Sequence, residues 1–564
     1  MLSFKRFLGI ILTIVILSVI FLIYNINESR PASVHNQTDL GQEREFIEIC
    51  QVDEGERTRV WLLGKSESEP YRQIYDNVWQ FCADVHLTVV EENRLDLSKT
   101  EERDLVIFCD AAVGRYADLT ELEEFIAGGG RVILAAGNSE PGLWPLLGIQ
   151  ENSAVENYHN LLFEKPLLPV QPEQVYYGGD SASARLVLSD DAFVYIRDAI
   201  TNVPILYTRA CQKGYVCLIN GTFLSDIRCL GLLTGAAGTV LPDFIYPILG
   251  VKSVFLDDFP MFTAADDELC RRVYGYSTQG FIRDVLWPAF QGASLRTDTP
   301  YTSSILAAAS SADSFGAVGE ELFTVICKSA LQFGWELVYA ADCSEAEKLV
   351  FNRDFIEQFP TVFTNYTIQG LALESDNFFP EMLAVPGGAE IKFVRGLLTS
   401  QEARLSWHEG LTVFPAATVG NSIDDGNLFL MYSMVGAYGL VSHVFDVSLL
   451  ITKDEQNGAW DFDKRHIGIF ESEVLAKVPW LEGKTLSQTA ENVRSYQDLA
   501  WGWTKSDNRL ELNCSGAVRG QAFFYHTAGR IVRAEGLTYQ EIGNGYYLLR
   551  VQESKGVIML EVRK

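Results

Sequence analysis

Basic residues are scarce in this chain of 564. Lys and Arg number 45 against 74 Asp and Glu, for a formal net charge of −29. That balance excludes a nucleic-acid role, because phosphate contacts are made by Lys and Arg. Outside a cell it repels anionic polymers and favours neutral or cationic ones, beside simply keeping the chain soluble. The ten cysteines form no Cys-x-x-Cys pair, which excludes zinc ribbons and thioredoxin-type motifs. Several sit in apolar strings such as Val106-Ile107-Phe108-Cys109 and read as buried thiols. Cys211 and Cys217 are close enough in the chain for a disulfide. There is no internal repeat, and no low-complexity tract beyond Ala307-Ala308-Ala309-Ser310-Ser311. With 48% hydrophobic and 21% charged residues the composition is that of folded domains and excludes wholesale disorder. The length suggests about three to four domains.

Lys5 and Arg6 precede an apolar run over 7–24. About 18 residues at ~1.5 Å each nearly cross a bilayer core. Basic flanks stay cytoplasmic, so everything after the run is expected outside. No small-x-small cleavage site follows, which favours an uncleaved signal anchor over 1–24 against its rival, a cleaved signal peptide. No cysteine closes the run to suggest a lipoprotein. The expectation is a single-pass protein of the cell membrane, its N-terminus cytoplasmic and its bulk extracellular. Residues 25–45 are polar and carry Pro31, and 25–56 read as a linker.

Residues 57–250 alternate short apolar strands with helical spacing. The helix over 119–127, Gly128-Gly129-Gly130 and the strand Arg131-Val132-Ile133-Leu134 form one βαβ unit of a parallel sheet. Residues 251–505 repeat the pattern with longer helices, at about 265–292 and 316–334 and from Trp480 to Asp498, and read as a distorted (β/α) barrel. From 506 to 564 short alternating strands with Gly and Asn turns predict a small β-sandwich. The fold class is therefore α/β: a flavodoxin-like N-terminal domain, a distorted barrel and a C-terminal sandwich.

The chemistry concentrates at Ser253-Val254-Phe255-Leu256-Asp257-Asp258-Phe259-Pro260, a strand that ends in two carboxylates. In a barrel of this kind, residues at the C-terminal ends of strands face the site where loops converge. That phrase is followed in order by Trp287-Pro288, Tyr301-Thr302, Gly334-Trp335-Glu336-Leu337, Phe414-Pro415, Gly439-Leu440-Val441-Ser442-His443, Trp460-Asp461 and Pro479-Trp480-Leu481. The set resembles a family of membrane-anchored bacterial proteins that join a glutamine amidotransferase-like domain, a polysaccharide deacetylase-like (NodB-type) barrel and a β domain. They are related to the deacetylase part of the Pel exopolysaccharide machinery. The resemblance implies that Asp257 is the general base and Asp258 a metal ligand. A His-x-x-x-His motif would complete a metal site that polarises the acetamide and activates water. Aligned from Gly334-Trp335-Glu336, those histidines fall on Ala340 and Ser344, neither an adequate zinc ligand. His443 survives from a second histidine phrase whose partner position is Asp446, while Asp342 or Cys343 stands as a substitute ligand. The amidotransferase nucleophile is missing too, since Cys109 is followed by Asp110-Ala111-Ala112 rather than set on a glycine elbow.

Each of these residues has a blander reading. Asp257 and Asp258 serve equally as helix caps, His443 lies in an apolar string as core histidines do, and His408 beside Trp407 reads as surface loop. Trp287, Trp335, Trp407 and Trp460 are candidates to line a sugar groove, although each alone is a common core residue. Taken together, the sequence predicts a catalytically degenerate, extracytoplasmic deacetylase-like protein without a cofactor. Its expected partners are exopolysaccharide, such as a cationic amino-sugar polymer, or a membrane protein of the export complex. An active zinc-dependent polysaccharide N-deacetylase with an atypical site, and a protein-interaction scaffold or sensor, are the alternatives.

Overall fold

The computed structural model describes residues 57–101, 104–137, 140–179, 181–260, 267–306, 319–341, 359–373, 390–397, 406–408, 411–450 and 459–562. The expected anchor and linker, together with Asp342, Cys343 and Ser344, lie outside them. Among the described residues no helix is long and apolar enough to cross a membrane.

Five parallel strands, in spatial order Thr88–Glu91, Arg59–Leu63, Leu105–Phe108, Arg131–Leu134 and Gly214–Ile219, begin a nine-stranded sheet. The order is that of doubly wound α/β sheets. Four antiparallel strands extend it through Pro204–Cys211, Ala192–Asp198, Asn160–Phe163 and Gln174–Tyr176. Alternation along the strand Arg59–Leu63 explains why both faces are covered. Val60 and Leu62 join one core with Ile74, Val78 and Phe81 of helix Tyr71–Asp84. Trp61 and Leu63 join another with Leu122 and Ile126 of helix Leu119–Gly128. Cys211 and Cys217 are both free, because the antiparallel register sets Cys217 opposite Thr208 and Cys211 opposite Gly214.

The second unit is a barrel of seven strands among the described residues: β1 Val251–Asp257, β2 Tyr301–Leu306, β3 Glu336–Ala341, β4 Gly370–Leu373, β5 Phe393–Leu397, β6 Leu411–Ala416 and β7 Leu440–Asp446. Successive strands pair in parallel from β1 to β6, and β7 pairs in parallel with β1. The ring closes through one bent stretch of chain. Residues 411–416 pair with β5, and Thr418–Val419, immediately after them, pair with β7. Ala417 N donates to Ser442 O at 3.0 Å and Gly420 N to Val444 O at 2.9 Å, which completes the seam.

Alternation along β1 points Ser253, Phe255 and Asp257 into the barrel. Phe255 meets Phe414 of β6 across the interior, with ring centroids 6.3 Å apart. The N-terminal end of the barrel is plugged by helix Leu486–Gln497. Leu486 N donates to Thr302 Oγ1 at 2.9 Å and Ser487 N to Glu336 Oε2 at 2.8 Å, while the hydroxyls of Ser253 and Thr489 lie 2.8 Å apart. This helix starts later than the sequence expectation from Trp480, because Thr485 and Gln488 form a capping box. The helical stretch expected at about 265–292 is broken once, into Asp267–Tyr274 and a helix from Thr278 to Thr297 that carries a π-helical turn at Ile282–Leu286.

The sandwich has two four-stranded sheets, Asp243–Ile248/Ala522–Thr527/Tyr546–Val551/Leu537–Gly543 and Ala500–Ser506/Arg509–Ser515/Lys555–Val562/Gly529–Glu535. Trp501 of one packs edge-on against Phe523 of the other. Its first strand, Asp243–Ile248, comes from the stretch expected to close the N-terminal domain, and Ala500–Ser506 from the end of the expected barrel.

Candidate functional site

The site is built where β1 ends. Asp257 is its last residue, and Asp258 follows with φ at +57°, a left-handed conformation that few side chains adopt. Three contacts from β2 hold this turn. Ser304 Oγ donates to Asp257 Oδ1 at 3.0 Å and accepts from Asp258 N at 3.3 Å, and Phe259 N donates to Ser304 O at 3.2 Å. Ser303 Oγ further donates to Phe259 O at 2.5 Å. The Leu-Asp-Asp-Phe-Pro phrase is thus stitched to the neighbouring strand.

Arg395 reaches Asp257 from the far side of the barrel. It stands on β5, its side chain is fully buried, and its Nη2 donates at 3.0 Å both to Asp257 Oδ2 and to Leu373 O. The guanidinium carbon lies 5.7 Å from the centre of the Phe255 ring one layer below. Among the described residues its Nε and Nη1 meet no acceptor. Sequence reading missed this residue, yet a signal existed. A lone cation inside Phe393-Val394-Arg395-Gly396-Leu397, an otherwise apolar strand, needs a buried partner.

Parallel register brings a third carboxylate to the same rim. Asp446 lies opposite Asp257 on β7 and accepts from Ser448 Oγ at 2.6 Å. Asn421 Nδ2 donates to the Asp446 carbonyl at 2.7 Å, and its own Oδ1 is buried without a donor.

His443 is not part of this cluster. It pairs with Val254, which faces away from the interior because strand neighbours alternate. The imidazole is fully buried against Phe445 and Phe470, with ring centroids 4.4 and 5.0 Å away, and its Nδ1 is 2.8 Å from Thr418 Oγ1. Burial pushes its pKa down to about 3, so the ring stays neutral.

Two of the four tryptophans depart from the expected groove. Trp335 and Trp460 are 3% and 5% exposed, out of reach of a polymer in solution. Trp335 donates its Nε1 to Ser294 Oγ at 3.0 Å and packs at 5.2 Å from half-buried Trp287, which stacks on Phe259. Trp460 packs edge-on against Phe281. Trp407 lies on the strand Ser406–His408, paired antiparallel with β6.

These residues do not fit a zinc ion. Asp257 is engaged by Arg395 and Ser304 and His443 faces away, while the substitute ligands Asp342 and Cys343 lie outside the described residues. Among the described residues no group of three or more His, Cys, Asp and Glu is placed to hold a metal. What the rim offers is a mixed set of hydrogen-bond donors and acceptors around one buried ion pair.

Residues 75–330 match a family described as an uncharacterised protein conserved in bacteria (DUF2194), a stretch of less than half the chain. No curated protein matches. Among solved structures, a β-galactosidase from Bacillus circulans sp. alkalophilus is similar at 14% identity and a TM-score of 0.24, covering 34% of this chain and 33% of that one. A ThuA-like protein from Bacteroides uniformis is similar at 15% identity and a TM-score of 0.23, covering 31% and 84%. An exo-β-1,4-mannosidase from Opitutaceae bacterium strain TAV5 follows at 12% identity and a TM-score of 0.22, covering 32% and 35%. The chain spans about a third of the length of the β-galactosidase, and at such scores these likenesses bear on neither fold nor activity.

Proposed function

We propose that this chain is a membrane-anchored, extracytoplasmic protein with a barrel of the polysaccharide-deacetylase kind, that it has lost hydrolytic chemistry, and that it binds exopolysaccharide or a protein of its export machinery. The observation that carries this reading is the engagement of Asp257 by Arg395 and Ser304 at a rim where Ala340 replaces a metal-binding side chain. In the metal-dependent mechanism acetamide hydrolysis needs a polarised carbonyl and an activated water together, and a carboxylate held by Arg395 and Ser304 is a weakened base for the second task. The ordered sequence phrases support the deacetylase-type barrel and the amidotransferase-like first domain, and the doubly wound order of the first sheet's parallel strands is compatible with the latter. The net charge of −29 favours a partly deacetylated, cationic amino-sugar polymer over an anionic one.

The full chain tests this directly. Incubated with zinc and then dialysed, it is expected to retain no stoichiometric metal by plasma emission spectroscopy and to release no acetate from N-acetylated hexosamine oligomers. It is expected to sediment with partly deacetylated polymer, the more weakly as salt rises. Stoichiometric zinc that disappears in Asp258→Ala, together with acetate release, would establish an active enzyme instead. Retention of a membrane protein without any polymer would favour the export partner.

A further inference from the structure

The rim at the end of β7 points to the kind of sugar the barrel mouth takes, on the premise of the saccharide-binding reading above. We infer that Asp446 holds the ammonium group of a 2-amino sugar, the unit that partial deacetylation of an N-acetylated polymer leaves. The two carboxylates that end β1 and β7 are not equivalent. Asp257 already has a fixed cation in Arg395 and a hydroxyl donor in Ser304. Asp446, directly opposite it on the neighbouring strand, is half-buried and forms no ion pair among the described residues. Its two donors, Ser448 Oγ at 2.6 Å and Leu449 N at 3.4 Å, both go to Oδ1. Oδ2 takes no hydrogen bond from the described residues. One guanidinium thus meets two acids, and the uncompensated charge lies on Asp446.

The surface beside Asp446 is apolar and open to solvent. Thr418 pairs with His443 and turns outward with it, so Val419, paired with the inward-facing Val444, faces the barrel mouth. Val419 is nonetheless 42% exposed, and Leu449, on the turn after β7, is 45% exposed. Solvent therefore reaches the mouth on this side, where aliphatic side chains flank the free carboxylate oxygen. A pyranose ring has the matching surfaces, apolar C–H faces and polar groups at its edge. An ammonium at carbon 2 brings three donors and a full positive charge to Oδ2. An acetamide at the same carbon brings one N–H, an acceptor carbonyl and no charge, so the carboxylate selects against it. An anionic sugar is repelled outright.

The test titrates the full chain calorimetrically with the β-1,4-linked glucosamine tetrasaccharide and with its N-acetylated counterpart. The amino form is expected to bind, and the acetamido form to bind about tenfold more weakly or not measurably. Asp446→Asn keeps the shape and the contacts with Ser448 and Leu449. It is expected to weaken the amino form about tenfold with an unchanged unfolding midpoint. Val419→Thr leaves every charge in place and is expected to weaken the amino form about threefold. Glu124→Gln, the same loss of charge on the remote helix Leu119–Gly128, is expected to change nothing. Undiminished binding of the amino form in Asp446→Asn or in Val419→Thr overturns the inference. So does an equal loss in Glu124→Gln, which would mean diffuse attraction by the net charge of −29. So does an acetamido form bound as tightly as the amino form, or no binding of either. Should the wild-type chain still sediment with polymer in those cases, only this inference falls. Should it not, the saccharide-binding reading falls as well.

Discussion

At the scale of single residues, His443 converts burial into a pH response. Its pKa inside the fold is pushed down to about 3 by desolvation, against roughly 6.5 for an exposed imidazole. The unfolded chain therefore takes up a proton below about pH 6.5 that the folded chain refuses, and this residue makes the protein less stable as pH falls from there toward 3. Replacing it isolates the effect. His443→Phe keeps the packing on Phe445 and Phe470 but leaves the Thr418 hydroxyl alone, at a cost of about 1–3 kcal/mol at pH 8. Denaturant unfolding at pH 8, 6 and 5 is expected to show the gap between wild type and variant narrowing with acidity. A gap that does not change with pH would mean that His443 is not held neutral. In the sequence, this residue fits a core histidine better than a vestigial metal ligand, but both readings stand. Only the register with Val254 decides between them, and register is a property of paired strands that a single strand does not display.

Among elements, the helix Leu486–Gln497 shows what local sequence can and cannot disclose. Its capping box is written in the chain as Thr485-Leu486-Ser487-Gln488, and a helix in this stretch is legible from it. Its place in the barrel is not, since that depends on Thr302, Glu336 and Ser253 from three separate strands. The same holds for β6, whose sequence announces a strand but not that its continuation at Thr418–Val419 closes the ring on β7. Glu336 is the sharpest point of contact, a carboxylate 2% exposed at a helix N-terminus, where backbone N–H groups and the helix dipole favour negative charge. Glu336→Ala leaves the Ser487 N–H and hydroxyl without their acceptor inside the barrel. The expected loss is about 2–4 kcal/mol of unfolding free energy, combining an abandoned buried donor with a cavity. Glu336→Gln keeps the shape and is expected to lose less. Equal losses would assign the effect to packing rather than to the charge at the helix end.

For the whole molecule, the three sheet-containing units share packing rather than standing apart. One apolar core runs from Val60 through the barrel to Leu560. The first unit grips the second where helix Gly231–Val240 lies on helix Asp425–Tyr438. Gly231 N donates to Ser433 Oγ at 2.9 Å there, and a Cβ at Gly231 would stand 2.4 Å from the Ser433 carbonyl. The third unit is laced to the rest by Asp243–Ile248, a strand that departs from the N-terminal half to pair with Ala522–Thr527. Asp243 at its start is 6% exposed and accepts from Lys505 Nζ and Tyr525 Oη, each at 2.5 Å, and from Thr527 Oγ1 at 2.9 Å. A chain ending at residue 505 would leave this strand without its partner, its carboxylate without Tyr525 and Thr527, and Tyr246 without the edge-on ring of Phe524. Buried aromatics carry about 1.5–3 kcal/mol each in removal from water. Losing several at once exceeds the usual net stability of a domain, about 5–15 kcal/mol. The full chain from residue 57 is therefore expected to unfold in one calorimetric transition, and the chain ending at 505 to be trapped in aggregates or to melt far lower. If the shortened chain melts at the same temperature as the full one, the sandwich is an appendage, and the barrel rim with Asp257 and Arg395 must owe its shape to the first two units alone.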